Sequence, residues 1–245
     1  AIFLPEATAQ AARARVSGSA TPGDNLSFPM RRLAFSMSAG CSSGGNSILA
    51  CRQCYTCLVP ELILASQSPR RRELLAIAGF AFRVRVQPVE EVRAPGESPV
   101  AYARRLAQTK AEAVWHGADE IVLGADTIVV AGERVLEKPL DATDARAMLK
   151  LLQGSEHTVI TGICLRHAGG TIIDHSSTTV RFVTMTDSEI ADYVASGEPM
   201  DKAGAYGIQG LASKFIEGID GCYFNVMGLP VSLVYRYLKQ LAQQG

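Results

Sequence analysis

The residues of this chain predict an α/β fold with a mixed central sheet flanked by helices. Short apolar or alternating runs that suit strands take turns with longer stretches of helical spacing, as where Leu62–Ala65 precedes a helical pattern opened by Pro69. Gly132 and Gly169-Gly170 each separate two strand-like runs, so hairpins interrupt the crossovers and the sheet cannot be purely parallel. Helix boundaries carry matching start and stop residues, among them the Thr186/Glu189 capping box and Gly79, Gly154 and Gly197 behind helical patterns.

Taken in order, Leu62-Ile63-Leu64-Ala65 reads as a short buried strand. Pro69 then sits in the first turn of a helix with Leu74, Leu75 and Ala78 on its apolar face. Phe82 to Gln87 alternates as a strand, and Pro99 to His116 reads as a long helix. Ile121–Leu123 and Thr127–Val130 are strand material around an interruption at Gly124-Ala125-Asp126, with a hairpin turn at Gly132 leading to Val135-Leu136. Asp141 and Asp144 open a helix that buries Ala145, Met148, Leu149 and Leu152. His157–Arg166 and Thr171–Val183 form a strand pair, and Thr186 opens a helix running to Ser196. A glycine-rich loop covers Pro199–Gly210. Strands are expected near Phe215-Ile216 and at Tyr223–Val226, and Pro230 starts the last helix.

The 245 residues include 24 Lys plus Arg against 24 Asp plus Glu. That balance supplies no electrostatic case for nucleic acid or a membrane surface, so cations serving a phosphate must be concentrated locally. No apolar run approaches the roughly 20 residues of a membrane helix. Four of the six cysteines lie between Cys41 and Cys57, while Cys164 and Cys222 are isolated, a pattern that suits a reducing compartment.

Residues 1–59 differ in kind. Ala1 to Asn46 is rich in Ala, Ser, Gly and Arg, has only Glu6 and Asp24 as acids, and reads as a disordered extension of a domain spanning 60–245. Three other readings compete: an organelle transit peptide, a secretory signal beginning at Met30 with a short apolar stretch, and a metal knuckle at Cys51, Cys54 and Cys57 that lacks an obvious fourth ligand.

Four segments carry the chemistry. Ser66-Gln67-Ser68-Pro69-Arg70-Arg71-Arg72 joins a strand to a helix N-terminus, where free amides, the macrodipole and forked guanidiniums suit phosphate oxygens. A solvated basic first turn is the alternative, at odds with the helix dipole. Gly124-Ala125-Asp126-Thr127 places a carboxylate in an apolar strand, as a general base or magnesium ligand opening onto a cleft would require; a plain turn is the alternative. Lys110 and Lys138 are further candidate phosphate cations, and Glu90-Glu91 is an acidic pair in a loop. The loop Asp201–Gly210 combines glycines, Tyr206 and Gln209, as expected where backbone approaches a flat polar group such as a base. His116, His157, His167 and His175 have no partners at metal or triad spacing and read as structural. Neither a P-loop nor a dinucleotide fingerprint is present.

In order, the motifs SQSPRRRELL, PVEEV, TKAEAV, LGADTIV, EKP, SGEPMDKAGAYGIQG, IDG and MGLP resemble the Maf family of nucleotide pyrophosphatases over about Leu62 to Leu241. The resemblance implies a fold like that of inosine triphosphate pyrophosphatases, two lobes flanking a cleft, an assembly that is often a dimer, and a divalent cation, Mg2+ or Mn2+. It makes Asp126 the proton acceptor for the attacking water. Ser66, Arg70, Arg71, Glu91, Lys110 and Lys138 are placed around the triphosphate and metal, with Glu91 and Asp126 as metal ligands. Arg70, Thr127 and Gln209 match positions tied to substrate choice, and they point to the dTTP/UTP branch, with modified pyrimidines as further substrates, rather than to 7-methyl-GTP. Arg72 is a third arginine where relatives carry another polar residue. The implied role is cytoplasmic cleansing of the nucleotide pool by conversion to monophosphate and pyrophosphate, with a nucleotide-binding regulator of septum formation as the alternative.

Overall fold

The computed structural model describes residues 60–244. The readings of residues 1–59, including Cys51, Cys54 and Cys57 as metal ligands, lie outside the described residues. Strand β1 (Glu61–Ala65) leads into helix α1 (Pro69–Ile77), then β2 (Arg83–Val84) and α2 (Pro99–Ala113). A long strand β3 (Glu120–Ala131) turns back as β4 (Arg134–Leu136), followed by α3 (Ala142–Leu152). The long hairpin β5 (Glu156–His167) and β6 (Gly170–Phe182) precedes α4 (Asp187–Ala195), β7 (Ile216–Asp220), α5 (Tyr223–Met227) and α6 (Val231–Gln244). Between α4 and β7 the chain makes short 3-10 turns at Glu198–Asp201, Ala203–Ala205 and Leu211–Phe215.

One mixed sheet runs β2-β1-β3-β5-β6-β7, with β4 also paired to β3. β1 is parallel to β2 and β3, and every other pairing is antiparallel, as the hairpin glycines require. On one face Leu62, Leu64, Ile121, Leu123, Ile163 and Leu165 pack against α1 and α6. Farther along that face Val129, Val159, Val180 and Phe182 pack against α3 and α4. The long strands are thus shared by two lobes. The opposite face, carrying Ile63, Val122, Ile128, Ile160 and Cys164, is covered by α2.

Helix α2 lies unusually close to the sheet, because β3 and β5 present glycines beneath it. A Cβ on Gly124 would stand 2.0 Å from the Ala107 carbonyl oxygen, and one on Gly162 would stand 2.3 Å from that of Ala103. Ala103, Ala107 and Ala111 complete the contact with small side chains, all fully buried. At the start of α2, Ser98 accepts from the Ala101 amide and Pro99 occupies the first turn.

Three expectations need correction. Gly124-Ala125-Asp126 does not interrupt a strand: β3 is continuous, because each of these residues pairs with β5, Asp126 lying opposite Gly162. The alternating segment Phe82–Gln87 forms a strand only at Arg83–Val84, where β1 offers two partners before its own end. Tyr223–Val226 is helical rather than extended. A helical turn directs the Asn225 side chain onto the sheet, where it donates to the Val159 carbonyl and Thr178 Oγ1, each at 3.0 Å. Gly228, at φ 113°, then ends that turn in a conformation glycine adopts without strain.

Gly162→Ala should lift α2 from the sheet, since the added methyl meets backbone rather than a flexible side chain. Urea unfolding should show a loss of about 1–3 kcal/mol, the range for overpacking. An unchanged midpoint would mean that the helix can move aside without cost.

Candidate active site

β1 ends at Ala65, opposite Gly124, and β4 begins its pairing at Leu136, opposite Val129. Between them, among the described residues, 125–128 of β3 have no neighbouring strand on that edge. The chain leaving β1 turns at Ser66 and starts α1 beside this gap, so a cleft opens at the carboxyl end of a parallel strand, the usual position for a ligand in α/β sheets.

Arg71 closes the floor of the gap. Its Nε donates to the Gly228 carbonyl at 2.8 Å, Nη1 to Ser66 Oγ at 3.0 Å and the Ala125 carbonyl at 2.9 Å, and Nη2 to Thr127 Oγ1 at 2.9 Å. Four of the five guanidinium N–H groups are therefore committed to the protein itself. Burial pushes the Arg71 pKa below the usual guanidinium value, and the nearby Asp126 carboxylate opposes that shift. Ser66 Oγ also accepts from the Ser68 amide, which tightens the turn. Ser68 makes no side-chain capping bond to α1, so no side chain caps the first-turn amides there.

Asp126 and Thr127 are consecutive in a strand and so face opposite sides. Asp126 is buried on the α2 side, where Lys110 Nζ stands 2.6 Å from its Oδ1 and 2.8 Å from Glu91 Oε1. Among the described residues, Asp126 Oδ2 has no protein hydrogen-bond partner. Tyr102 reaches the same place, its hydroxyl 2.5 Å from Glu137 Oε1 and 3.0 Å from the Glu91 carbonyl. Burial raises the Tyr102 pKa, and the bond to Glu137 raises it further, so the phenol stays protonated and fixes the loop carrying Glu91 to the segment carrying Lys138. Lys138 is exposed and pairs with no carboxylate among the described residues. Glu91, Lys110, Asp126, Glu137 and Lys138 line a cavity of about 630 Å³, with Tyr102 buried behind them.

A second cavity of about 320 Å³ adjoins it, sharing Arg70, Thr127 and Ala203. Val129, Val159, Tyr206, Ile208 and Met227 give it apolar walls, and Gln209, Glu198 and Lys202 give it polar ones. Arg70 stands at the junction, its Nη1 2.8 Å from Asp201 Oδ2 and its Nη2 donating to the Asp201 carbonyl at 3.3 Å. Gln209 is exposed at the tip of its turn. Arg72 is exposed on α1 and does not line either cavity.

The structure therefore gathers Ser66, Arg70, Arg71, Glu91, Lys110, Asp126 and Lys138 around one cavity, with Gln209 at its neighbour and Arg70 and Thr127 at both. Arg71 is bonded chiefly as a strut. Asp201, Glu198, Tyr102 and Glu137 were not singled out from the sequence. Their local signal is weak: Glu198 alone stands between glycine and proline, and Tyr102 and Glu137 are partners more than thirty positions apart. Among the described residues no three His, Cys, Asp or Glu side chains are grouped to hold a metal, so Glu91 and Asp126 form a pair only. Among the same residues no helix is long and apolar enough to cross a membrane.

The model of the family described as Maf-like protein matches residues 61–241. A curated relative from Koribacter versatilis, a dTTP/UTP pyrophosphatase, is 52% identical over 180 residues, covering 73% of this chain and 93% of the relative. Proteins of the same description from Vibrio cholerae and Aquifex aeolicus are 50% and 44% identical, covering 71% and 74% of this chain and 94% and 95% of their own lengths. Among solved structures, the Staphylococcus aureus Ham1 protein overlaps at a TM-score of 0.36 and 14% identity, covering 50% of this chain and 71% of that one. A nucleoside-triphosphatase, dITP/XTP pyrophosphatase, from Mycobacterium abscessus overlaps at 0.33 and 13%, covering 50% and 74%. These structural overlaps are partial, and the mixed sheet described above stands on its own topology.

The wall of the smaller cavity carries a pH-sensitive support. His157 Nε2 is 2.8 Å from the Tyr206 hydroxyl, and both rings pack edge-on to Phe182. Burial lowers the His157 pKa from 6.5 to about 4. The unfolded chain therefore takes up this proton first on acidification. The stability contributed is complete above pH 6.5 and is lost as pH falls towards 4, a change of up to about 3 kcal/mol. Thermal unfolding of the wild type should fall over that interval more steeply than that of His157→Phe; parallel curves would remove His157 as the cause.

Proposed function

The chain belongs to the Maf-like protein family, and from that premise we propose that it hydrolyses dTTP and UTP to the nucleoside monophosphate and pyrophosphate. The observation that carries this reading is the pair of joined cavities, a charged one beside Asp126 and a mostly apolar one beside Gln209, meeting at Arg70 and Thr127. The first suits a triphosphate and the second a pyrimidine base. The names of the relatives, all dTTP/UTP pyrophosphatases at 44–52% identity, support the same substrates.

In this reading the triphosphate lies against the N-terminus of α1, with Arg70 and Lys138 supplying forked and point charges to its oxygens. Asp126 acts as general base. Its Oδ1 is held by Lys110, and Oδ2 takes a proton from water as the water oxygen bonds to the α-phosphorus. The bond from that phosphorus to the bridging oxygen breaks, and pyrophosphate leaves with its charge offset by Arg70, Lys110 and Lys138. Arg71 holds Ser66, Ala125 and Thr127 in register while this happens.

The family implies a divalent cation, and the donor set fits one: Glu91 and Asp126 offer hard carboxylate oxygens on one wall of the cleft, enough for an ion that takes its other ligands from phosphate and water. Bound there, Mg2+ or Mn2+ would neutralise charge on the phosphates. The activity is assigned to residues 60–245, so a chain without residues 1–59 should retain it. A cytoplasmic, homodimeric enzyme serving the nucleotide pool is the corresponding biological setting, with modified pyrimidine triphosphates as further substrates.

Asp126→Asn should lower turnover by about 10²–10⁴-fold, the usual weight of a general base, in a protein that still unfolds cooperatively, at a lower temperature because Lys110 and Arg71 lose a nearby negative charge. Phosphate release after coupling to an inorganic pyrophosphatase measures it; near-normal turnover by the folded variant would remove Asp126 from this role. In the same assay across nucleotides, Gln209→Ala should weaken dTTP and UTP cleavage more than GTP cleavage, since an amide can match a pyrimidine's carbonyl and N–H edge. A uniform loss would leave Gln209 as a loop support only.

A further inference from the structure

A side chain at an exposed turn tip can read a base only if the turn itself is fixed. The Gly207–Gly210 turn closes with one bond of its own, from the Gly210 amide to the Gly207 carbonyl at 3.0 Å. Its anchorage comes from Glu198, behind it in the smaller cavity. Glu198 Oε2 accepts from the Leu211 amide at 2.9 Å, and Oε1 accepts from the Tyr193 hydroxyl at 2.9 Å. The Tyr193 oxygen accepts in turn from the Gly207 amide at 3.2 Å. One carboxylate thereby fastens the far end of the turn directly and the near end through a phenol.

The turn packs directly on these side chains. A Cβ on Gly210 would meet Glu198 Oε1 at 2.2 Å, and one on Gly207 would meet Lys202 Cε at 2.6 Å. Lys202 Nζ donates to the Glu198 carbonyl and to Asp201 Oδ1, both at 2.6 Å, tying this anchor to the residue that holds Arg70. Burial and the bond to Glu198 raise the Tyr193 pKa, so the hydroxyl remains a donor.

We propose that Glu198 is a specificity-determining positioning residue, whose carboxylate, bridging the Leu211 amide and the Tyr193 hydroxyl, sets the Gly207–Gly210 turn against the nucleobase. A carboxylate is needed because both partners donate. An amide has one acceptor oxygen: with that oxygen on the Leu211 amide its NH2 points at the Tyr193 oxygen, and the phenol proton loses its acceptor. The inference rests on the reading above that the smaller cavity receives the base.

The test is steady-state kinetics with dTTP, UTP and GTP on Glu198→Gln and Tyr193→Phe, with inorganic tripolyphosphate as a competitive inhibitor that reports the phosphate end alone. Glu198→Gln should raise KM for dTTP and UTP about tenfold, as expected for one mispaired buried donor. kcat and tripolyphosphate inhibition should hold near wild-type values, because base contacts act equally on ground and transition states. The preference for dTTP over GTP should fall by a similar factor. Tyr193→Phe keeps the ring packing and should shift KM the same way by less. Equal losses on every triphosphate together with weaker tripolyphosphate inhibition would make Glu198 a general support and overturn the proposal, as would unchanged selectivity in both variants. A wild-type protein that does not prefer dTTP and UTP would overturn the reading of the base cavity itself, and that result appears before any substitution is made.

Discussion

The Arg71 guanidinium sits where β1 has ended and β4 has not yet begun, and it replaces a missing strand with four hydrogen bonds. An open edge inside a sheet would ordinarily leave backbone groups unpaired or invite another chain. Here the Ala125 carbonyl on that edge is satisfied by a side chain from α1, and the space outside it is the cleft. The same guanidinium reaches Ser66, Thr127 and the Gly228 carbonyl, so it ties together the turn into α1, the centre of β3 and the end of α5. Burying a cation is costly. Asp126 nearby and the full set of acceptors offset that cost.

From this strut the two ends of the cleft follow. Alternation along β3 sends Asp126 towards α2 and Thr127 towards Arg71, so one strand lines both cavities. Gly124 and Gly162 let α2 approach the sheet closely, which brings Lys110 over Asp126. Arg70 and Asp201 join the two cavities through an ion pair whose partners come from α1 and from the loop after α4. Both partners are partly exposed, so the pair contributes little to stability, and its importance is geometric.

The sequence by itself determined the alternation of elements, their caps and most of their order, because those are local. Thr186 and Glu189 form the capping box their spacing demands, and Gly132 makes the hairpin its neighbours predict. It also singled out Ser66, Arg70, Asp126 and Gln209, which the fold brings to the two adjoining cavities. Only the tertiary structure decided how β3 continues through Asp126, since the pairing with β5 that holds it extended comes from residues more than thirty positions away. Likewise, the folding of Tyr223–Met227 as a helix depends on where Asn225 finds its partners, on β5 and β6. Arg70 and Arg71 look alike in the sequence, yet one faces the cleft and the other is consumed as a strut. Which guanidinium pairs with an exposed carboxylate and which is spent on the sheet depends on long-range hydrogen bonds, and adjacent residues on a helix point in different directions.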